Sequence, residues 1–199
     1  MHPADYSGYS IKIAARREFE PPELLAMYQF RASVFRQRLS WEVGLLGEME
    51  VDAYDALDPV YLMMRDEVGA VCACLRMLPT TGPYMLQNTF SELMQDCKAP
   101  VAENMLELSR FAVASRFAKG FGFSEMTCRV IRAAIDYGSR HGLENYVTVT
   151  TPALERLLLR FGLTMQRLGR PARMGVEEAL ALVIDIPASY QNLRERYPD

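Results

Sequence analysis

Residues 105–113 read MLELSRFAV, an apolar run with the alternation of a central strand that nevertheless carries Glu107, Ser109 and Arg110 inside it. Charge in such a strand needs partners, because burying an unpaired ion is costly. In a regular strand Glu107, Ser109 and Phe111 share one face and Arg110 points to the other, so a common site demands a bulge or a twist at this point. A glycine-containing turn, KGFGFSE at 119–125, then opens onto a helix expected over 124–139, with Met126, Val130, Ala133, Ala134 and Tyr137 along one face. NYVTVT at 145–150 is the next strand. Strand, helix and strand in succession set the class as α/β.

Working outward, SIKIAA (10–15) is a strand, and PPELLAMYQFRASVFRQR (21–38) a helix with proline in its first turn and Leu24, Tyr28, Arg31 and Phe35 on one face. VYLMMRD (60–66) and AVCACLRML (70–78) pair across a short turn, and TTGPYMLQNTFSEL (80–93) is a loop. TPALERLLLRFG (151–162) is a short helix bounded by Pro152 and Gly162, and ALALVIDI (179–186) is the last strand. The order predicts one α/β domain over 1–199, a three-layer αβα arrangement on a twisted mixed central sheet, with a core of about 10–186 and a polar tail over 187–199.

Composition narrows the function. The chain has 199 residues, 50% hydrophobic and 24% charged, enough for a sizeable core without staples. A net charge of −3 gives no global basic excess, so no nucleic-acid partner is expected. No stretch is long and apolar enough to span a membrane and the opening MHPADYSGYS lacks the features of a secretory leader, which predicts a cytoplasmic protein. Cys72, Cys74, Cys97 and Cys128 form no C-x-x-C pair, and only His2 and His141 are available beside them, so no metal is expected. Cys72 and Cys74 read as small buried residues of a strand.

Four places put charge where folding alone would not choose it. Arg31 and Phe35 are i,i+4 neighbours with Trp41 just beyond, so a guanidinium and two rings can converge. Glu48, Glu50, Asp52, Asp55 and Asp58 form a carboxylate string without the glycine and closing glutamate of a calcium loop; it is either a solvated acidic turn or a site for a small cation such as a sulfonium or ammonium. Arg76 lies inside an apolar strand, and the fourth place is Glu107, Ser109 and Arg110. The economical pairing is Asp52 or Asp55 with Arg76, and Glu107 with Arg31 or Arg110. The turn 117–122 offers backbone donors at a helix start, suited to a pyrophosphate or phosphopantetheine arm and equally to an ordinary strand-to-helix turn. No G-x-G-x-x-G follows the first strand and no G-x-S-x-G is present.

Taken together, Arg31, Phe35, Trp41, Asp52, Asp55, Arg76, Phe90, Glu107 and Arg110 resemble in identity, order and spacing the invariant set of the acyl-homoserine-lactone synthases, the LuxI-type autoinducer synthases. YDALDPVYLM, TTGPYMLQNTF, ELSRFAV and YVTVTT look most like the LasI branch, over about residues 10–186. The resemblance implies a fold similar to the GNAT N-acyltransferases and a reaction between S-adenosylmethionine and an acyl-acyl-carrier-protein. Amine acylation is followed by lactonisation, releasing 5′-methylthioadenosine and holo-carrier. S-adenosylmethionine is then a consumed substrate, and no cofactor or metal is implied.

On that resemblance Arg31, Phe35, Trp41 and Phe90 are expected to bind S-adenosylmethionine, the arginine on its carboxylate. Asp52 and Asp55 would pair with Arg76 and place negative potential near the cationic substrate, Glu107 would take the ammonium proton directly or through water, and Arg110 would brace that carboxylate or bind the substrate's. Thr148 and Thr150, with Ser109 and Phe111 nearby in the pattern, are the candidates for reading a medium-to-long, 3-oxo acyl chain. Leu106, Leu108, Met126, Leu154, Leu157 and Leu158 are tunnel or core. Arg156 and Arg160, extended by Arg129 and Arg132, would dock the acidic carrier protein. Two other readings stand beside this one: a GNAT-like N-acyltransferase using acyl-coenzyme A, disfavoured by Phe117 where its pyrophosphate loop begins with Gln or Arg, and a non-catalytic S-adenosylmethionine sensor.

Overall fold

The structure, a computed structural model, describes residues 8–38, 45–95, 97–114, 124–175 and 177–198. Trp41 and the turn 117–122 lie outside these residues. The chain divides into two compact units, one from Met1–Met77 with Arg110–Val130, the other from Leu78–Ser109 with Ile131–Asp199. Strands β5 and β6 and helix α3, defined below, each contribute to both.

In the first unit β1 (Ser10–Ala15) pairs antiparallel with β4 (Val60–Arg65), and β4 with β5 (Val71–Pro79), which lies next to β6 (Met105–Val113). Strand β5 is buried from Cys72 to Leu78, as a continuous apolar run requires. Helix α1 (Pro21–Ala32) starts at a capping box of Glu20 and Glu23, with proline at its first turn. It passes into π-helical turns over Ser33–Arg38, so the helix expected over 21–38 is regular only in its first two-thirds. Its apolar face buries Met27, Tyr28, Val34 and Phe35 in one core with Phe19, Tyr61, Met63, Cys74 and Ala112. Each large side chain so buried contributes about 1.5–3 kcal/mol. The acidic stretch, read as turns, folds into a small hairpin, β2 (Leu45–Leu46) with β3 (Met49–Glu50), and a 3₁₀ turn over Ala53–Leu57.

In the second unit β6 runs parallel to β7 (Asn145–Thr150) over Met105–Leu108, β7 pairs antiparallel with β10 (Glu177–Asp185), and β10 with β8 (Thr164–Arg167) and β9 (Ala172–Met174). The sheet is therefore mixed, as expected. The helices here are α2 (Met85–Asn88), the second half of α3 (Glu125–Arg140), α4 (Pro152–Phe161) and α5 (Ile186–Arg196). Thr151 caps α4 at one end and Gly162, at φ 118°, closes it at the other. Residues 187–199, expected as a polar tail, instead form most of α5: the Asp185 side chain accepts from Ala188 N, and Ile186, Ser189 and Leu193 are buried. Gly138 of α3 is required by close approach, since a Cβ there would lie 2.7 Å from Tyr146 Oη and 2.8 Å from Ile186 Cδ1.

Candidate active site

Six charged residues of the first unit close into a ring. Glu50 accepts from Arg31 and Arg110, Asp52 from Arg110 and Arg76, and Asp55 from Arg76 and Arg31, so three carboxylates alternate with three guanidiniums. The distances are 2.5 Å from Arg31 Nε to Glu50, 2.9 Å from Arg31 Nη1 to Asp55, and 2.5 and 2.9 Å from Arg76 to Asp52 and Asp55. Arg110 reaches Glu50 at 2.9 Å and Asp52 at 2.7 Å. Such a ring is neutral, with three charges of each sign, which is how six ions are taken out of water together; an odd ion would cost several kcal/mol.

The members come from several local devices. Helix α1 presents Arg31 from its buried face, and β5 presents Arg76 as an inward residue. Asp52 caps the 3₁₀ turn, accepting from Tyr54 N, while Asp55 reaches back to Asp52 N at 2.9 Å. Arg110 takes a left-handed backbone at φ 55°, rare for a residue with a side chain. The parallel register with β7 ends just before it. Rings flank the guanidiniums: Phe35 lies 5.9 Å from Arg110 Cζ, Tyr54 lies 5.5 Å from that of Arg76, and Tyr28 lies 5.4 Å from that of Arg31.

Burial sorts the ring into two layers. Arg31, Glu50, Asp55 and Arg76 are at most 1% exposed, whereas the side chains of Asp52 and Arg110 keep 18% and 17%. Burial opposes charge on Asp55, but hydrogen bonds from Arg31 and the positive charges of Arg31 and Arg76 outweigh it and hold its carboxyl well below the usual range. Arg31 is likewise raised despite its burial, by the hydrogen bond and charge of Asp55 and then by the charge of Glu50. Burial pushes the Cys74 thiol up to about 12, which leaves it a core residue, as read from sequence. Among the described residues no group of three or more His, Cys, Asp or Glu side chains is arranged to hold a metal ion.

Several expectations about these residues change. The pairing of Asp52 and Asp55 with Arg76 is present. Arg31, expected to grip a substrate carboxylate, is instead buried and spent on Glu50 and Asp55. The pairing expected of Glu107 with Arg31 or Arg110 is replaced by Glu50, which bridges both; the sequence places Glu50 in the acidic string but gives no reason to prefer it. The available signal was arithmetic, since Arg31, Arg76 and Arg110 need three carboxylates and Asp52 and Asp55 supply two.

In the second unit Glu107 is 1% exposed and accepts from two backbone amides at the start of α2, Met85 N at 2.9 Å and Leu86 N at 2.7 Å. Two amide donors stabilise a carboxylate's charge. Burial, and then the charge of Glu107, push the Tyr84 phenol up to about 12. Phe90 follows α2, half-buried, its N–H on Met85 O. Thr148 donates its hydroxyl to Leu108 O at 2.9 Å, whereas the Thr150 hydroxyl is buried and has no hydrogen-bond partner among the described residues. Leu106, Leu108, Ser109, Leu154 and Leu157 are half-buried and Leu158 is core; in the first unit Phe111 is half-buried and Met126 is core. Arg156 and Arg160 are exposed on α4, while Arg132 is half-buried and Arg129, in the first unit, is held by Glu125 and lies over Tyr9.

Comparison with known proteins agrees with this architecture. The family model described as autoinducer synthase matches residues 17–193. The acyl-homoserine-lactone synthase of Pseudomonas aeruginosa is 40% identical over 183 residues, 91% of each chain. The crystal structure of the synthase LasI superposes with a TM-score of 0.84 at 41% identity, covering 92% of both chains. TofI, solved in a ternary complex with an inhibitor and MTA, gives 0.78 at 31% identity over 94% and 96%. An N-acetyltransferase structure from Lactobacillus plantarum shares the fold alone, at TM-score 0.59, 14% identity and coverage of 89% and 99%. The α/β fold is thus one the chain shares with that structure. Within it the chain belongs to the autoinducer synthase family, the acyl-homoserine-lactone synthases, transferases that make quorum-sensing signals.

Proposed function

We propose that the enzyme joins S-adenosylmethionine to the acyl group of an acyl-acyl-carrier-protein in the cytoplasm, without metal or cofactor. The observation that carries this reading is the half-exposed edge of the ring, where Asp52 and Arg110 hold each other at 2.7 Å. A cation and an anion offered side by side are complementary to the ammonium and carboxylate of an amino acid. Arg110 takes the substrate carboxylate and Asp52 the positive end, while Arg31, Glu50, Asp55 and Arg76 fix their geometry from behind. Phe35 supports Arg110, and for Trp41 and Phe90 a role in binding S-adenosylmethionine rests on the family resemblance. The MTA named with the TofI structure supports S-adenosylmethionine as substrate, because methylthioadenosine is what it leaves on lactonisation.

The chemistry follows in two bond-forming steps. The α-amino nitrogen, once deprotonated, attacks the thioester carbon and the pantetheine thiolate departs. The carboxylate oxygen then attacks the γ-carbon, and the sulfonium leaves as neutral 5′-methylthioadenosine. Glu107, as the resemblance implies, accepts the ammonium proton directly or through water. Both closures rely on position, for which intramolecular geometry supplies large effective molarities.

For the acyl chain, the Thr150 hydroxyl, which has no partner among the described residues, is the donor suited to a 3-oxo group, with Thr148 already committed to Leu108 O and Ser109 as a helper. A medium-to-long chain follows the half-buried leucines. Arg156 and Arg160 dock the acidic carrier, with Arg129 and Arg132 as lesser contributors. The test is mass spectrometry of purified enzyme with S-adenosylmethionine and acyl donors of graded length, oxidation state and carrier. Lactone and methylthioadenosine in equal amounts from acyl-carrier-protein support the reading. Preference for acyl-coenzyme A would replace the donor, and binding of S-adenosylmethionine without either product would make the protein a sensor.

A further inference from the structure

A chain of hydroxyl groups leads from the protein surface to Asp55. Arg16 Nε lies 3.3 Å from Tyr28 Oη, Tyr28 Oη 3.1 Å from Tyr61 Oη, and Tyr61 Oη 2.5 Å from Asp55 Oδ1. Its direction follows from counting protons. Asp55, ionised between Arg31 and Arg76, only accepts, so the single proton of Tyr61 goes to it. Tyr61 must then accept from Tyr28, whose own proton is thereby used, and Tyr28 accepts from Arg16. All three hydrogen bonds of the chain point one way, the arrangement in which each bond polarises the next. The outer end is wet: Arg16 and Tyr28 line a surface groove of about 390 Å³ with Phe19, Leu24 and Met49. The inner end is buried, Tyr61 and Asp55 being 1% exposed.

We propose that Tyr61 and Tyr28 are positioning residues for the reaction, a one-way relay fed by Arg16 that locks the carboxylate of Asp55 and, through the ring, the Asp52–Arg110 edge. This rests on the reading of that edge as the substrate site. Asp55 Oδ1 receives Arg31 Nη1, Arg76 Nη1 and the Tyr61 hydroxyl, while Oδ2 takes Arg31 Nη2 and Asp52 N. The phenol is the one neutral side-chain donor in that set, so it fixes the rotamer without adding a charge the ring would have to balance. Burial, and then the charge of Asp55, keep the Tyr61 phenol protonated far above neutrality, so its proton is always available to the carboxylate. The groups facing Asp55 are Arg31 from α1, Arg76 and the Cys74 thiol from β5, Tyr61 from β4 and Asp52 from its own turn.

The test is a graded series, Tyr61→Phe, Tyr28→Phe and Arg16→Leu, read in KM for S-adenosylmethionine, kcat and the acid limb of kcat/KM against pH. Losing a hydrogen bond to an ion raises KM about tenfold in Tyr61→Phe. Smaller rises follow in Tyr28→Phe and then Arg16→Leu, and the acid limb moves to higher pH in the same order, because each loss weakens the donor that favours ionised Asp55. A merely structural role would lower the unfolding midpoint and leave the acid limb in place. Arg16 sits at the surface, so Arg16→Leu decides the matter should Tyr61→Phe fail to fold. A downfield hydroxyl proton resonance, present in the wild type, absent in Tyr61→Phe and shifted in Arg16→Leu, reports the relay without reference to catalysis. That resonance with no lactone from the wild type would overturn the substrate reading alone. Lactone synthesis with wild-type KM and acid limb in all three variants would overturn the positioning role.

Discussion

Two buried carboxylate sites solve the same physical problem in opposite ways. In the first unit Glu50, Asp52 and Asp55 are neutralised by three guanidiniums; in the second, Glu107 is held by the amides of Met85 and Leu86. The ring draws on residues from 31 to 110. The amide pair belongs to a single turn of backbone and needs only one side chain. The first arrangement buys fixed orientation at its exposed edge, whereas the second holds one charge at a helix start.

The sharpest way to break this contrast is Arg76→Met. With Arg76 fully buried, its loss leaves Asp52 and Asp55 one cation short, and urea unfolding should show a loss of about 3–5 kcal/mol. A loss under about 1 kcal/mol would mean the ring is not closed. Glu107→Gln turns one accepting oxygen into a donor facing an amide, costs about 1–3 kcal/mol by the same assay, and abolishes acylation while S-adenosylmethionine still binds. Comparable in size but away from both carboxylate sites, Gly138→Ala crowds Tyr146 and Ile186 at a cost of about 1–3 kcal/mol, with KM values unchanged once the protein is folded.

Acid should also separate the two. Asp55 titrates lower folded than unfolded, so its contribution is complete above the unfolded carboxyl value near 4 and is lost as pH falls through the folded one. The stability gap between wild type and Asp55→Asn should therefore be flat from pH 8 to about 5 and shrink below about 4. Least costly to the fold is Arg156→Glu with Arg160→Glu, within about 0.5 kcal/mol per exposed site. That double reversal should raise KM for acyl-carrier-protein and leave that for S-adenosylmethionine alone; equal effects on both would reject docking on α4.

How much of this was readable in the sequence depends on which groups do the pairing. Strands 10–15, 105–113 and 145–150 and the α4 helix follow from periodicity and caps, because local preference and burial agree there. The Asp52, Asp55 and Arg76 pairing was legible because ions advertise their need for partners. The left-handed backbone at Arg110 was not legible: a bulge or twist was expected only for a site shared by Glu107 and Arg110, whereas the ring joins Arg110 to Glu50 and Asp52. Glu107's partners were not legible either, as every residue carries an amide and none marks itself as the donor. The misjudged tail carries a usable signal in Asp185, Pro187 and the spacing of Ile186, Ser189 and Leu193, hidden by its polar composition.

The pair at the ring's edge is best tested by S-adenosylmethionine calorimetry on Asp52→Asn, Arg110→Gln and the double variant. If Asp52 and Arg110 orient each other as one site, each single change weakens binding about tenfold or more and the double change is far less than additive, with a coupling of about 0.5–3 kcal/mol. Wild-type affinity in either single variant, or strictly additive losses in the double, would contradict it.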